Sequence, residues 1–268
     1  AHHVYAALEA DVDILWIGAR STVNPFTVQE IAVALKGTNK PVLVKNPVNP
    51  DLALWIGALE RLLGQDVKNL GVIHRGFSSY QKTKYRNLPN WQIALDFKHQ
   101  YPNIPMFVDP SHICGRRDLL SDVTQEAFNV GYEGAMIESH CNPDAAWSDA
   151  AQQITPEVLA EMLGNLQIRN SDISGFDEEM GKHRALISDI DFQLIELLSN
   201  RMKISEKIGA LKKENNIAIF QPDRWKVIAE YASARAEESG MGKDFIEKVF
   251  KAIHEESIEV QNNIMIDK

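Results

Sequence analysis

His112, Glu138 and Asp149 are the residues of this chain whose types and placement first suggest chemistry. His112 follows the apolar run Pro105–Val108, Glu138 closes the run Gly134–Ile137, and Asp149 stands in the loop beyond it. One imidazole and two carboxylates at successive strand ends suit a hard or borderline divalent cation such as Mn, Fe, Co or Zn. In a parallel α/β fold, the carboxyl ends of strands are where active-site residues gather. The plainer alternative is a His112 that caps a turn beside two ordinary solvated carboxylates.

A second set lies upstream. Arg20 follows the run WIGA, Lys45 closes VLVK, and Arg75 closes VIH. Three strand ends thus aim three cations at one rim, and Arg and Lys groups that converge bind phosphate or carboxylate well. One rim with an anion-binding half and a metal-binding half describes an enzyme for a phosphorylated, carbonyl-containing substrate.

The third set lies near the C-terminus. Leu198, Arg201, Ser205, Ile208 and Lys212 advance by three or four and share one helical face. Ile246, Phe250, Ile253, Ser257, Gln261 and Ile264 form a second stripe, interrupted by Ser257 and Gln261. Polar groups on inward faces are costly unless paired, and two facing stripes of this kind can enclose a polar ligand. The alternative is a bundle edge with snorkelling Lys and Arg side chains. Arg184 is about 25 Å along the helix from Arg201 and about 100° round it, so only a partner subunit's copy could reach the same pocket.

These residues need scaffolds. After a helix-like start, Ala1–Ala10, five short apolar runs recur: Asp13–Gly18, Pro41–Lys45, Leu70–His74, Pro105–Val108 and Gly134–Ile137. Between them Thr27–Leu35, Pro50–Leu63, Trp91–His99 and Asp118–Val130 carry helical periodicity. The alternation predicts a parallel sheet with right-handed crossovers, covered on both faces. An opening helix and five βα units fit the later part of a (β/α)8 TIM-type barrel; the alternative is an open five-stranded sheet of flavodoxin type, without a glycine-rich loop after its first strand. Near Gly164 the character changes, and residues 165–176 read as a polar linker. Beyond it three helices are expected, over about 180–215, Pro222 to about Ser239, and Asp244–Ile266, with Pro222 free to occupy a first turn. Such a unit buries its apolar faces poorly alone and is expected to dimerise. The class is therefore α/β plus all-α: an α/β domain over 1–164 and a helical one over 177–268.

The formal net charge of −9 argues against non-specific nucleic-acid binding. Two cysteines, Cys114 and Cys141, fit a reducing compartment, and no apolar run is long enough for a membrane span, so the cytoplasm is the expected location.

The segments GARSTVNP, PVLVKNP, VIHRGFSSYQ, VDPSHICGRRDLL and GAMIESHCNPDAAWSDAAQQ, in that order, resemble the later barrel motifs of type I 3-deoxy-D-arabino-heptulosonate 7-phosphate (DAHP) synthases. The resemblance implies condensation of phosphoenolpyruvate with erythrose 4-phosphate in the shikimate pathway. It implies that Arg20, Lys45 and Arg75 hold phosphoenolpyruvate and that His112, Glu138 and Asp149 hold the metal. The family's Gly-Pro-Cys and Lys-Pro-Arg-Thr motifs do not occur here. A chain without those strands is expected to lack synthase activity. The related octulosonate phosphate synthases are the alternative for the aldose.

The helical part resembles the all-helical chorismate mutases, which are dimers of three-helix chains. That resemblance implies the rearrangement of chorismate to prephenate without a cofactor. Arg184 of a partner and Arg201 would hold carboxylates, Lys212 and Gln261 the ether oxygen, and Arg224 and Ser257 the remaining polar shell. Gln221 and Trp225 stand where many members carry acidic residues. A fusion of the two suggests that a ligand on the helices alters the barrel's activity. The alternative makes the helical part a non-catalytic sensor and dimerisation module.

Overall fold

The computed structural model describes residues 1–80, 82–169 and 176–266 and divides into two compact units, Ala1–Asp172 and Ile173–Lys268. The expected linker 165–176 falls partly outside the described residues.

In the first unit, β1 (Leu15–Ile17), β2 (Val42–Lys45), β3 (Leu70–His74), β4 (Met106–Val108) and β5 (Gly134–Ala135) form one parallel sheet in the order β1-β2-β3-β4-β5. Strictly sequential order is barrel winding; a flavodoxin-type sheet reverses direction at its first strand. β3 coincides with its apolar run, and the other strands are shorter than theirs, β1 and β5 by half. Val42, Val44 and Val72 are fully buried, and Trp55, Leu62 and Phe97 pack over them from the connecting helices.

Helices α1 (His2–Glu9), α2 (Ala19–Thr22), α3 (Pro25–Leu35), α4 (Leu52–Leu63), α5 (Trp91–Gln100), α6 (Pro110–Cys114), α7 (Leu120–Asn129) and α8 (Pro156–Asn165) fill the connections. Their starts follow local chemistry. Asn24 accepts from the amides of Phe26 and Thr27 with Pro25 behind it, and Asp51 and Thr155 cap α4 and α8 in the same way. The periodicity did not reveal α2 and α6. Both are single turns directly after strands, and they carry Arg20 and His112.

The second unit is α9 (Asp177–Glu214), α10 (Pro222–Glu238) and α11 (Lys243–Ile266). Among the described residues its one apolar cluster of buried residues is Ala232, Ala236 and Ile246. Along α9, Ile187, Ile190, Leu194, Leu197, Ile204 and Leu211 stay exposed, and only Ser205 and Gly209 are buried. At Gly209 the absent side chain lets α11 approach closely: a Cβ there would stand 3.2 Å from the Gln261 Cα. Among the described residues, no helix is long and apolar enough to cross a membrane.

Candidate functional site

At the carboxyl ends of the strands, Asp109 organises the first site. It precedes Pro110 as the cap of α6, accepting from the His112 amide at 3.0 Å. The same carboxylate meets Nδ1 of His112 at 2.9 Å and Nζ of Lys45 at 2.7 Å. Burial works against its charge, but His112 and Lys45 outweigh burial and hold the carboxyl below the usual carboxylate value. With Nδ1 turned to a carboxylate, Nε2 is the ring nitrogen left for a metal, as a carboxylate–histidine–metal arrangement requires.

His112, Glu138 and Asp149 each offer a ligand atom within 4.8 Å of the others. Glu138 lies three residues past β5; its amide donates to Ser111 Oγ at 2.9 Å, and its Oε2 accepts from Gln152 Nε2 at 3.0 Å. Asp149 sits at φ 50°, in the left-handed region that is costly for a non-glycine residue. Arg86 donates to Asp149 Oδ1 and to Gln152 Oε1, both at 2.7 Å, so one guanidinium braces both carboxylate arms. Arg86 also holds the Asp149 carboxyl below its ordinary value. An imidazole nitrogen and two carboxylates at this separation fit a borderline divalent cation. Neither thiol belongs to the group: burial pushes Cys114 up to about 12, and Cys141 is exposed beside His140.

The cations stand alongside. Lys45 and Arg75 are buried, and Arg75 is fixed by its amide on Asn46 Oδ1 at 2.7 Å and its Nη1 on Asn87 Oδ1 at 2.9 Å. Arg20 is exposed. Burial lowers the Arg75 pKa, Asp109 opposes that shift, and Arg86 and Arg20 add to it, so these guanidiniums share one field. Behind Arg75, His74 is fully buried and neutral. Its Nε2 faces the Pro89 carbonyl at 2.6 Å and its Nδ1 the Tyr132 hydroxyl at 2.9 Å, and burial takes its pKa down to about 4.

In the helical unit, a cavity of about 370 Å³ is lined by Arg201, Lys212, Arg224, Ser257 and Gln261, with His254 and Gln221 on its wall. Five of the six predicted residues therefore share one cavity. Arg184 is exposed and does not line it. Arg201 donates to Ser257 Oγ, and Lys212 to the Ile219 carbonyl at 2.6 Å. Burial and then Arg224 lower the Arg201 pKa, while burial alone lowers that of Lys212. No carboxylate is among the lining residues. Three cations without a counter-charge make a receptor for a compact polyanion.

Sequence reasoning missed Asp109, Arg86, Gln152 and His254. An Asp directly before a Pro is a helix-cap signal, so Asp109 was findable. Phe250, His254, Ser257 and Gln261 also advance by three or four, so His254 lay on a legible face. Arg86 and Gln152 lie in loop or single-turn segments that carry no periodic signal.

Comparison with known proteins matches both units. Residues 4–173 match the family model "DAHP synthetase I family", and residues 183–262 match "Chorismate mutase type II". A phospho-2-dehydro-3-deoxyheptonate aldolase of Thermotoga maritima is 29% identical over 155 residues, 58% of this chain and 44% of that protein. A T-protein of Haemophilus influenzae is 28% identical over 87 residues, 32% of this chain and 23% of that protein. A solved truncated form of 3-deoxy-D-arabino-heptulosonate 7-phosphate synthase from Thermotoga maritima superposes with a TM-score of 0.54 at 27% identity, over 60% of this chain and 59% of that one. The chain thus spans less than half the length of the curated aldolase it matches.

Proposed function

The chain belongs to the DAHP synthetase I family, and from that premise we propose that its two units serve two reactions of aromatic biosynthesis, the synthase reaction only together with strands that carry the Gly-Pro-Cys and Lys-Pro-Arg-Thr motifs. Residues 1–164 supply the later strands of a synthase that condenses phosphoenolpyruvate with erythrose 4-phosphate. Residues 177–268, joined through 165–176, form a unit that rearranges chorismate to prephenate. Both activities belong to a soluble, cytoplasmic protein.

In the first unit, Arg20, Lys45 and Arg75 hold the phosphate and carboxylate of phosphoenolpyruvate, with Arg75 pre-oriented by Asn46 and Asn87. His112, Glu138 and Asp149 hold a divalent cation, which supplies Lewis-acid polarisation of an aldehyde carbonyl. Asp109 ties the two halves together, because its carboxylate holds both Lys45 and His112.

The observation that carries the reading of the second unit is the carboxylate-free cavity lined by Arg201, Lys212 and Arg224. Arg201 and the partner's Arg184 hold the two carboxylates of chorismate, Arg224 and Ser257 complete the polar shell, and Lys212 donates to the ether oxygen that gains charge as its bond breaks. Gln261 donates one amide hydrogen to the Ser257 carbonyl at 3.1 Å, which leaves the second for that oxygen. The exposed apolar stripe of α9 supports a homodimer, through which the partner's Arg184 completes the pocket. Arg201→Ala tests the reading. Chorismate consumption followed by absorbance falls by about 100-fold in kcat/KM. Loss of less than about threefold contradicts the carboxylate clamp, and binding without turnover in the unaltered chain makes the unit a sensor.

A further inference from the structure

Among the described residues, two buried side-chain polar atoms lack any hydrogen-bond partner, His254 Nε2 and Gln261 Oε1. Both residues line the cavity between α9, α10 and α11. Buried polar atoms are almost always paired, so two orphans on one wall mark a place where a ligand supplies the missing partner. His254 is held in a fixed attitude: Trp225 stacks on its ring with centroids 4.5 Å apart and planes 23° apart, and Phe220 lies 6.2 Å away. Burial and the neighbouring Arg201 and Lys212 disfavour its protonation, whereas Glu255 favours it. A neutral imidazole beside three cations does not compete for the ligand's carboxylates. It suits a neutral oxygen, which the guanidinium and ammonium groups leave unclaimed.

The geometry points to His254, clamped by Trp225, as a further ligand-binding residue of the helical pocket that hydrogen-bonds a neutral hydroxyl oxygen of the bound dicarboxylate. This rests on the reading of the pocket as the site for chorismate or prephenate. The hydrogen bond forms with the ligand rather than with the developing charge, so it sets affinity and selectivity more than rate.

Calorimetry with prephenate and chorismate turnover, both on the full chain, test it. His254→Phe keeps the ring stacked on Trp225 but removes both nitrogens. It raises the prephenate Kd and the chorismate KM about tenfold, while kcat falls by less than about threefold. His254→Asn restores a polar hydrogen-bonding group and recovers both constants to within about threefold of the unaltered chain. The assignment is overturned if His254→Phe binds as tightly as the unaltered chain, or if His254→Asn binds as weakly as His254→Phe, which makes the role one of shape. A chain that binds prephenate without consuming chorismate refutes the mutase reading while calorimetry still decides His254; a chain that binds neither refutes both.

Discussion

The two sites handle charge in opposite ways. On the barrel rim, several charges are paired within the chain: Lys45 and His112 with Asp109, and Arg86 with Asp149. In the helical cavity, Arg201, Lys212 and Arg224 face one another without a carboxylate, and His254 and Gln261 keep unpaired atoms. The rim is a wired scaffold whose charges hold one another in position. The helical cavity is an unbalanced receptor, in which the anion provides the counter-charge. The contrast suits the proposed reactions. Holding a cation beside an anionic substrate needs several groups fixed together, whereas a unimolecular rearrangement needs one substrate gripped and one oxygen stabilised.

The sharpest way to break this contrast is to cut the rim at its hub. Asp109→Ala leaves Lys45 buried without a partner and His112 without its orienting carboxylate. Denaturant unfolding of the barrel unit is expected to lose about 3–5 kcal/mol. Mn²⁺ affinity, read by calorimetry, falls about 10–100-fold. A variant as stable as the parent would mean the pairing is incidental.

The next effect comes from pH. His74 is neutral in the folded state with a pKa of about 4, against 6.5 for a free histidine. Between those values the unfolded chain binds a proton that the folded chain does not, so stability is complete above about pH 6.5 and falls as pH drops toward 4. A shift of this size amounts to about 3 kcal/mol. Urea midpoints of the barrel transition from pH 7 to 4.5 check it; a flat profile contradicts a neutral, buried His74.

A smaller effect is expected in the helical unit. Gly209→Val pushes a branched side chain at the Gln261 backbone. Overpacking costs about 1–3 kcal/mol, and the displaced α11 weakens prephenate binding in calorimetry. The smallest effect is the most informative. Arg201→Met removes one of three unpaired cations and is expected to shift the helical unfolding free energy by less than about 1 kcal/mol, or to stabilise it slightly. The same deletion on the rim, Lys45→Met, strands buried Asp109 and destabilises strongly. Equal losses at both sites would erase the distinction.

Much of this was legible in the residues because the barrel pattern is periodic. Apolar runs ending in Arg20, Lys45 and Arg75 place those side chains on one rim as soon as the strands are parallel. The same logic brings His112, Glu138 and Asp149 together. The braces were not legible in the same way. Arg86 and Gln152 are 66 residues apart yet hydrogen-bonded, and nothing local announces that. Asp149 depends on a left-handed backbone at a loop turn that no alternation predicts. In the helices, the face shared by Arg201 and Lys212 follows from spacing alone. The stacking of His254 on Trp225 joins two helices, and it depends on how closely they pack.

Each unit is expected to hold its own site, one for a divalent cation and one for a dicarboxylate. Amide hydrogen exchange on the full chain, with Mn²⁺ and prephenate added separately, tests it most directly. Mn²⁺ is expected to protect the segments around His112 and from Glu138 to Gln152, and prephenate the facing stretches of α9 and α11 around Arg201, Lys212 and Ser257. Absence of Mn²⁺ protection over 138–152, or prephenate protection that survives Arg201→Ala, would contradict it.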